Sequence, residues 1–263
     1  MELLAIHDFF GYEIPMVERY SLISQAGFNA VMLGWAGFPD NPNETKQLNP
    51  ELARKKGLHI ENIHTPFLGV NEFWIDNLDG EEYLKQQMIC IDDCKNHEIQ
   101  IMVLHINQGL IPPPISKVGL ERLNKLIDKA ENENVYLAFE NMRNLEHLQY
   151  IFYKIQSEKT KFCYDSGHHN CKTSSEDLLT EFSDKLIAIN LHDNNGLDDE
   201  HKLPFDGTID WNSTIQSLKK SNYTDAMCLE VIGSSYPNLS PFEFLHVAYQ
   251  RAEGLLDIKE SLK

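Results

Sequence analysis

Glu140, Asp165 and Glu230 each follow directly on a short apolar run: Tyr136-Leu137-Ala138-Phe139, Phe162-Cys163-Tyr164 and Met227-Cys228-Leu229. His105 ends a fourth run, Ile101-Met102-Val103-Leu104, and His192 a fifth, from Leu186 to Leu191. Carboxylates and imidazoles bind divalent cations, and carboxylates crowded together repel one another unless a cation sits among them. One acid after a strand is as readily a helix cap or half of an ion pair. Three of them with an imidazole make a cage suited to Mn²⁺, Co²⁺, Mg²⁺ or Zn²⁺.

Other histidines fall near the same places. His64 ends a strand candidate, His168 follows Asp165 by three residues, and His201 closes Asp198-Asp199-Glu200-His201. A lone histidine is more often a hydrogen-bonded structural residue than a ligand. His97, His147, His169 and His246 are placed in that class, as surface or helix residues. His7 ends the first apolar run and could line a pocket, whereas His59 begins its run, at the wrong end for the site.

Side chains so spaced need strands that deliver them to one edge. Runs ending near His7, Leu33, His64, His105, Glu140, Asp165, His192 and Glu230 give eight strands, 25 to 41 residues apart. That spacing holds a strand, a helix and two loops. Helical patterns fall between them. Met16 to Ala26 closes on Gly27, and Asn49-Pro50 opens a helix through Lys56 that stops at Gly57. Tyr83, Leu84, Met88, Ile91 and Cys94 keep helical spacing, as do Leu120, Leu123, Ile127 and Ala130. Ser174 with Asp177 resembles an N-cap with a first-turn acid, and Ser240-Pro241-Phe242-Glu243 reads as a capping box. Eight alternating β-then-α units predict a single (β/α)8 TIM barrel, one domain across residues 1–263. Pro112-Pro113-Pro114 reads as a rigid loop within it, and the longer connections after His64, His105 and His192 lie on the face where such barrels place active sites.

Composition narrows the partners. Twenty-three Lys and Arg against 40 Asp and Glu give a net charge of −17, which argues against nucleic acid, since phosphate-backbone binding needs a basic surface. No apolar stretch approaches the length of a membrane span. Met1 to His7 lacks a basic leader and reads as a first strand rather than a signal peptide. Five cysteines, Cys90, Cys94, Cys163, Cys171 and Cys228, form no CxxC pair, which predicts a reducing, cytoplasmic compartment. A homo-oligomer is left open.

Several stretches together carry a resemblance. They are Ile63-His64-Thr65-Pro66-Phe67, Val103-Leu104-His105, Glu140-Asn141-Met142-Arg143, Asp165-Ser166-Gly167-His168, Asn190-Leu191-His192-Asp193-Asn194, Asp199-Glu200-His201 with Gly207-Thr208-Ile209-Asp210-Trp211, and Leu229-Glu230. In that order the chain resembles the xylose isomerase-like TIM-barrel superfamily. This joins sugar phosphate isomerases and epimerases to the apurinic-site endonucleases of the endonuclease IV type (AP endonuclease family 2).

The epimerase branch implies one divalent ion held by Glu140, Asp165, the Asn190/His192 position and Glu230. It implies Glu140 and Glu230 as the catalytic pair that removes and returns a proton next to a carbonyl. His168 and Arg143 are the implied contacts to substrate oxygens. Trp35, at the end of the second strand, is a candidate to stack on a sugar face; a rim core residue is an equal reading. The endonuclease branch implies nine ligands for three zinc ions. Eight are matched by His64, His105, Glu140, Asp165, His168, Asp199, His201 and Glu230. The ninth position carries Asn190 where the pattern has His, and asparagine is a poor zinc ligand. That departure argues against an endonuclease-like trinuclear cluster. His192, two residues on and facing the same side, is the candidate to replace it, one pleat nearer the mouth.

The leading expectation is therefore a metal-dependent isomerase or epimerase of a small sugar or sugar derivative. A metal-dependent hydrolase or phosphodiesterase using the fuller ligand set stands second. A binding protein that kept the barrel without turnover stands third.

Overall fold

Residues 2–36, 45–221 and 223–262 are described by a computed structural model; Met1 of the expected first strand lies outside them. Eight parallel strands form one sheet: β1 (Leu4–His7), β2 (Ala30–Gly34), β3 (His59–His64), β4 (Ile101–Leu104), β5 (Tyr136–Glu140), β6 (Thr160–Asp165), β7 (Leu186–Asn190) and β8 (Met227–Leu229). Neighbours follow chain order, with β1 paired to β2 and to β8. The remaining edges meet through a parallel bridge between Leu191 and Leu229, where Leu191 N–H donates to Cys228 O and Glu230 N–H to Leu191 O. The chain is a single (β/α)8 TIM barrel.

The crossovers are α1 (Met16–Ala26), α2 (Asn49–Lys55), α3 (Leu78–Asn96), α4 (Lys117–Glu133), α5 (Glu146–Lys154), α6 (Ser166–Lys172) with α7 (Leu178–Glu181), α8 (Trp211–Lys220) and α9 (Pro241–Ser261). Gly27 ends α1 at φ 115°, a left-handed turn that glycine takes without steric cost. Ser240 and Glu243 complete the expected capping box of α9. The short α7 is capped by Asp177, whose side chain accepts from Thr180 N, and not by Ser174. Among the described residues all five cysteines are free and buried, and no helix is long and apolar enough to cross a membrane.

Most of the apolar core lies between sheet and helices. Inside the barrel the side chains are small. Ala5, Ala30, Met32, Ala226 and Cys228 form one patch, and Val103, Ala138, Cys163 and Ala188 another. The strand period of two carries six of these nine upward to a polar residue at the mouth. Ala5 leads to His7, Val103 to His105, Ala138 to Glu140, Cys163 to Asp165, Ala188 to Asn190 and Cys228 to Glu230. The clustering of donors at the C-terminal ends of the strands follows from that alternation.

Candidate metal centre and active site

Glu140 is the hub. Its buried carboxylate lies 3.2 Å from His64 Nε2, 3.4 Å from His105 Nε2 and 2.9 Å from His168 Nδ1. It also accepts a 3.0 Å hydrogen bond from the Asn190 carboxamide. These side chains come from β3, the residue after β4, α6 and β7, so the hub exists only in the closed barrel.

Asp165 has two tasks. Its Oδ1 caps α6 by accepting from His168 N at 2.6 Å, which fixes the helix turn that presents His168. Its Oδ2 lies 3.1 Å from His192 Nε2. Gly167 completes this turn, since a Cβ there would lie 1.9 Å from His192 Cε1. His192 in turn stacks on His201, with centroids 4.0 Å apart and planes within 15°.

The loop after β7 supplies the outer donors. Asp199 lies 3.1 Å from His168 Nε2, 3.5 Å from His201 Nε2 and 3.3 Å from Arg143. His201 Nδ1 hydrogen-bonds Glu230 O at 2.9 Å, which fixes the ring from behind. The loop is knotted around Asp193. Its carboxylate accepts from Asn194 N, Phe205 N, Ile209 N and Trp211 Nε1 at 2.8–3.2 Å. That wrapping holds His201 at φ 47° and Phe205 at φ 75°, conformations a side-chain-bearing residue adopts at a cost.

Electrostatics separate the two glutamates. Burial by itself would raise Glu140, but the charge of His105 and hydrogen bonds from His105, His168 and His64 outweigh it and hold the carboxyl well below its usual range. Glu230 goes the other way: burial raises it, reinforced by Glu140 and Asp165 and opposed by His64 and His201. Burial would lower His64, yet Glu140 and Glu230 bring it up to about 9. His201 also rises to about 9 against its burial, through Asp199 and Glu230. Burial dominates at His105, which is lowered.

The donors fit a divalent cation. Three groups, His64/His105/Glu140, Glu140/Asp165/His168 and His192/His201/Glu230, each bring their ligand atoms within 4.8 Å of one another. Contacts of 2.9–3.4 Å around Glu140 match the ~3 Å edge between ligands that each sit about 2.1 Å from a shared ion. Several buried donor atoms, among them His105 Nδ1, Asn190 Oδ1, His192 Nδ1 and Asp199 Oδ1, have no hydrogen-bond partner among the described residues. Above the donors lies a cavity of about 280 Å³, whose lining includes His7, Glu140, Arg143, His168, Asp199 and Glu230 on the polar side. Phe9, Phe67, Met142 and Ile232 form its apolar side, with Phe67 stacked on His105 at 4.7 Å.

A family model described as "Xylose isomerase-like TIM barrel" matches residues 20–255. The chain belongs to the xylose isomerase-like TIM-barrel family. Among curated relatives of this barrel is "Uncharacterized protein y4fM" of Sinorhizobium fredii, 32% identical over 129 residues, 46% of this chain and 40% of that protein. Another is "Uncharacterized protein MJ1311" of Methanocaldococcus jannaschii, 26% identical over 188 residues, 64% of this chain and 63% of that one. The chain thus spans under two thirds of the length of these relatives. Solved structures share the fold across nearly the whole chain. A D-tagatose 3-epimerase-like protein has a TM-score of 0.75 at 21% identity, covering 99% of this chain and 98% of its own. An L-ribulose 3-epimerase has a TM-score of 0.78 at 15% identity, covering 99% and 96%. A 3-keto-D-glucoside 4-epimerase from E. coli has a TM-score of 0.72 at 16% identity, covering 97% and 99%.

In this xylose isomerase-like barrel the sequence candidates divide. Glu140, Asp165, Asn190, His64, His105 and His168 meet at the hub. His192, Asp199, His201 and Glu230 gather beside it, and Arg143 reaches the cavity rim. His7 joins them, 4.0 Å from Glu230. Trp35 does not line the cavity: it is fully buried and its indole donates to Asp93 at 2.7 Å. It is a core residue, because β2 turns it toward α3. His147 is the structural helix residue expected, carried by α5. It is fully buried, 3.1 Å from Asn107 and packed on Trp74. Phe9 and Phe67 escaped sequence reasoning as pocket residues. The signal available was position, since Phe9 follows His7 by two and Phe67 follows His64 by three.

Proposed function

We propose that this chain is a divalent-metal-dependent isomerase or epimerase acting on a small sugar or sugar derivative by proton transfer next to a carbonyl. The observation that carries the reading is two glutamates, Glu140 on β5 and Glu230 after β8, lining one cavity beside a set of cation donors. A volume of about 280 Å³ lies just under the usual range for drug-sized ligands and suits a monosaccharide-sized molecule.

Glu140, Asp165, Glu230 and His192 or Asn190 would hold the ion. A divalent ion of the Mn²⁺, Co²⁺, Mg²⁺ or Zn²⁺ type supplies Lewis-acid stabilisation of the negative charge that grows on a substrate carbonyl oxygen. Glu140 and Glu230 exchange protons with the substrate carbon, one removing and the other returning. Arg143, at the rim, binds a substrate oxygen. Both nitrogens of His168 already face Glu140 and Asp199, so it orients these carboxylates rather than the substrate. Phe67 and Phe9 offer aromatic faces to the C–H side of a sugar and keep water from the reacting carbon.

Deuterium incorporation at the α-carbon across a panel of ketoses tests this. Glu230→Gln should lose at least about 100-fold in exchange while the ion stays bound. No exchange by the wild type with any ketose would sink the proposal.

The three donor groups, two of them sharing Glu140, favour one alternative, a hydrolase of phosphate esters with more than one ion. Three stoichiometric zinc ions with cleavage of an activated phosphodiester would select it. One tightly held ion with ketose exchange selects the epimerase.

A further inference from the structure

An imidazole that binds a metal is usually fixed by a hydrogen bond from its other ring nitrogen, and losing that bond weakens the ion about 10–100-fold. His64 has such a bond, from Nδ1 to Thr65 O at 3.2 Å, and His201 has one from Nδ1 to Glu230 O at 2.9 Å. His105 differs. Its Nε2 faces Glu140 at 3.4 Å, while its buried Nδ1 has no hydrogen-bond partner among the described residues. The plane of this ring therefore needs another restraint.

Phe67 lies where that restraint is missing. Its ring is stacked on His105, with centroids 4.7 Å apart and planes 24° from parallel, and it meets His64 edge-on at 6.1 Å. An imidazole cannot turn about χ2 against a stacked ring without driving its own edge into that ring and losing the contact between faces. The same exchange of stacking for hydrogen bonding recurs nearby. His192 Nδ1 also lacks a partner among the described residues, and His192 is stacked on His201 at 4.0 Å.

The chain around Phe67 is pinned on both sides. Before it, Pro66 O accepts from the Gln87 carboxamide at 2.9 Å and from the Tyr83 hydroxyl at 3.2 Å, both on α3. After it, Val70 N–H donates to Phe67 O at 3.0 Å and closes a turn through Gly69, at φ 85°. The side chain is nevertheless 42% exposed, so the pinning does not serve the core. It serves the contact with the two imidazoles.

We propose that Phe67 is a positioning residue for His105: its ring fixes the imidazole plane and so keeps Nε2 within the donor group of His64, His105 and Glu140. This rests on the reading that the donors hold a divalent ion, and not on the sugar chemistry.

Zn²⁺ affinity of the whole chain, measured by competition with a chelating dye, tests the role. Phe67→Ala should weaken binding at least about tenfold, and Phe67→Leu, which keeps apolar bulk without a flat face, should do the same. Phe67→Tyr keeps the face and should stay within about threefold of wild type. In a His105→Ala background Phe67→Ala should change affinity less than about twofold, because the ring it steadies is gone. A full loss that persists in that background overturns the proposal, as does unchanged affinity in Phe67→Ala. Should His105→Ala fail to fold, the exposed position decides: equal affinities of Phe67→Leu and Phe67→Tyr overturn it. A wild-type chain that binds no Zn²⁺ overturns it too. Ketose exchange plays no part in the readout, so the proposed catalysis and the role of Phe67 fail separately.

Discussion

The Asn190 carboxamide donates a 3.0 Å hydrogen bond to Oε2 of Glu140, while its own Oδ1 has no partner. Asn190 therefore restrains the hub carboxylate, and an imidazole is missing from a place where one would add a nitrogen ligand. His192, one pleat higher, lies against Asp165 and stacks on His201. With asparagine at 190 the hub offers an oxygen where a further imidazole would add a nitrogen, which favours a harder cation than the histidine would.

Asn190→His should tighten Zn²⁺ binding at least about tenfold and Mn²⁺ binding by less than about threefold. Competition with a chelating dye measures both. Equal gains for the two ions would show that position 190 does not touch the ion.

Asp193 is the second point of leverage. Four donors converge on its carboxylate and wrap the loop that carries Asp199 and His201. Asp193→Ala should cost about 3–5 kcal/mol, because buried N–H groups lose a charged acceptor. Asp193→Asn, which keeps one carbonyl oxygen, should cost about half as much. Urea unfolding gives the stability difference. Metal titration should show weaker outer-site occupancy in both variants, in the same order.

Trp35→Phe separates a core role from a substrate role. Losing the 2.7 Å hydrogen bond to buried Asp93 should cost about 2 kcal/mol and lower Tm by several degrees. KM for an exchanging ketose should stay within about twofold of wild type. A tenfold rise in KM without loss of stability would return Trp35 to the pocket.

Asp8 carries a pH signature. Burial raises its carboxyl to about 6, against lowering by Gly34 N–H, Arg19 and Tyr20. A carboxyl raised on folding costs nothing below its unfolded value near 4, where it is neutral in both states. Stability is then lost as pH rises through about 6. A shift of about two units corresponds to about 3 kcal/mol. Asp8→Asn should therefore be less stable than wild type at pH 4, having weakened the contacts to Gly34 and Tyr20. Relative to wild type it should recover by up to about 3 kcal/mol by pH 7. A constant difference across that range, from chemical denaturation at each pH, would contradict the sign.

Much of the barrel was legible because its signals are local. Apolar runs ending in His105, Glu140 and Asp165 mark strand ends directly, since the side-chain period forces the next inward residue to the mouth. Gly27 and the Ser240–Glu243 box mark helix ends for equally local reasons. The loop after β7 was legible only as a motif. Nothing local shows that Asp193 anchors the loop and that Asp199 is carried to His168 and His201, because the four donors lie up to 18 residues away.

The sequence by itself determined the alternation, the parallel sheet and the list of donors at one rim, because burial and strand period act over a few residues. Tertiary structure alone decided which donors meet. It set Glu140 among His64, His105, His168 and Asn190, turned Trp35 into the core and buried His147. Closure of the sheet brings residues far apart in the chain to within 3–4 Å, and neither strand period nor composition encodes those distances.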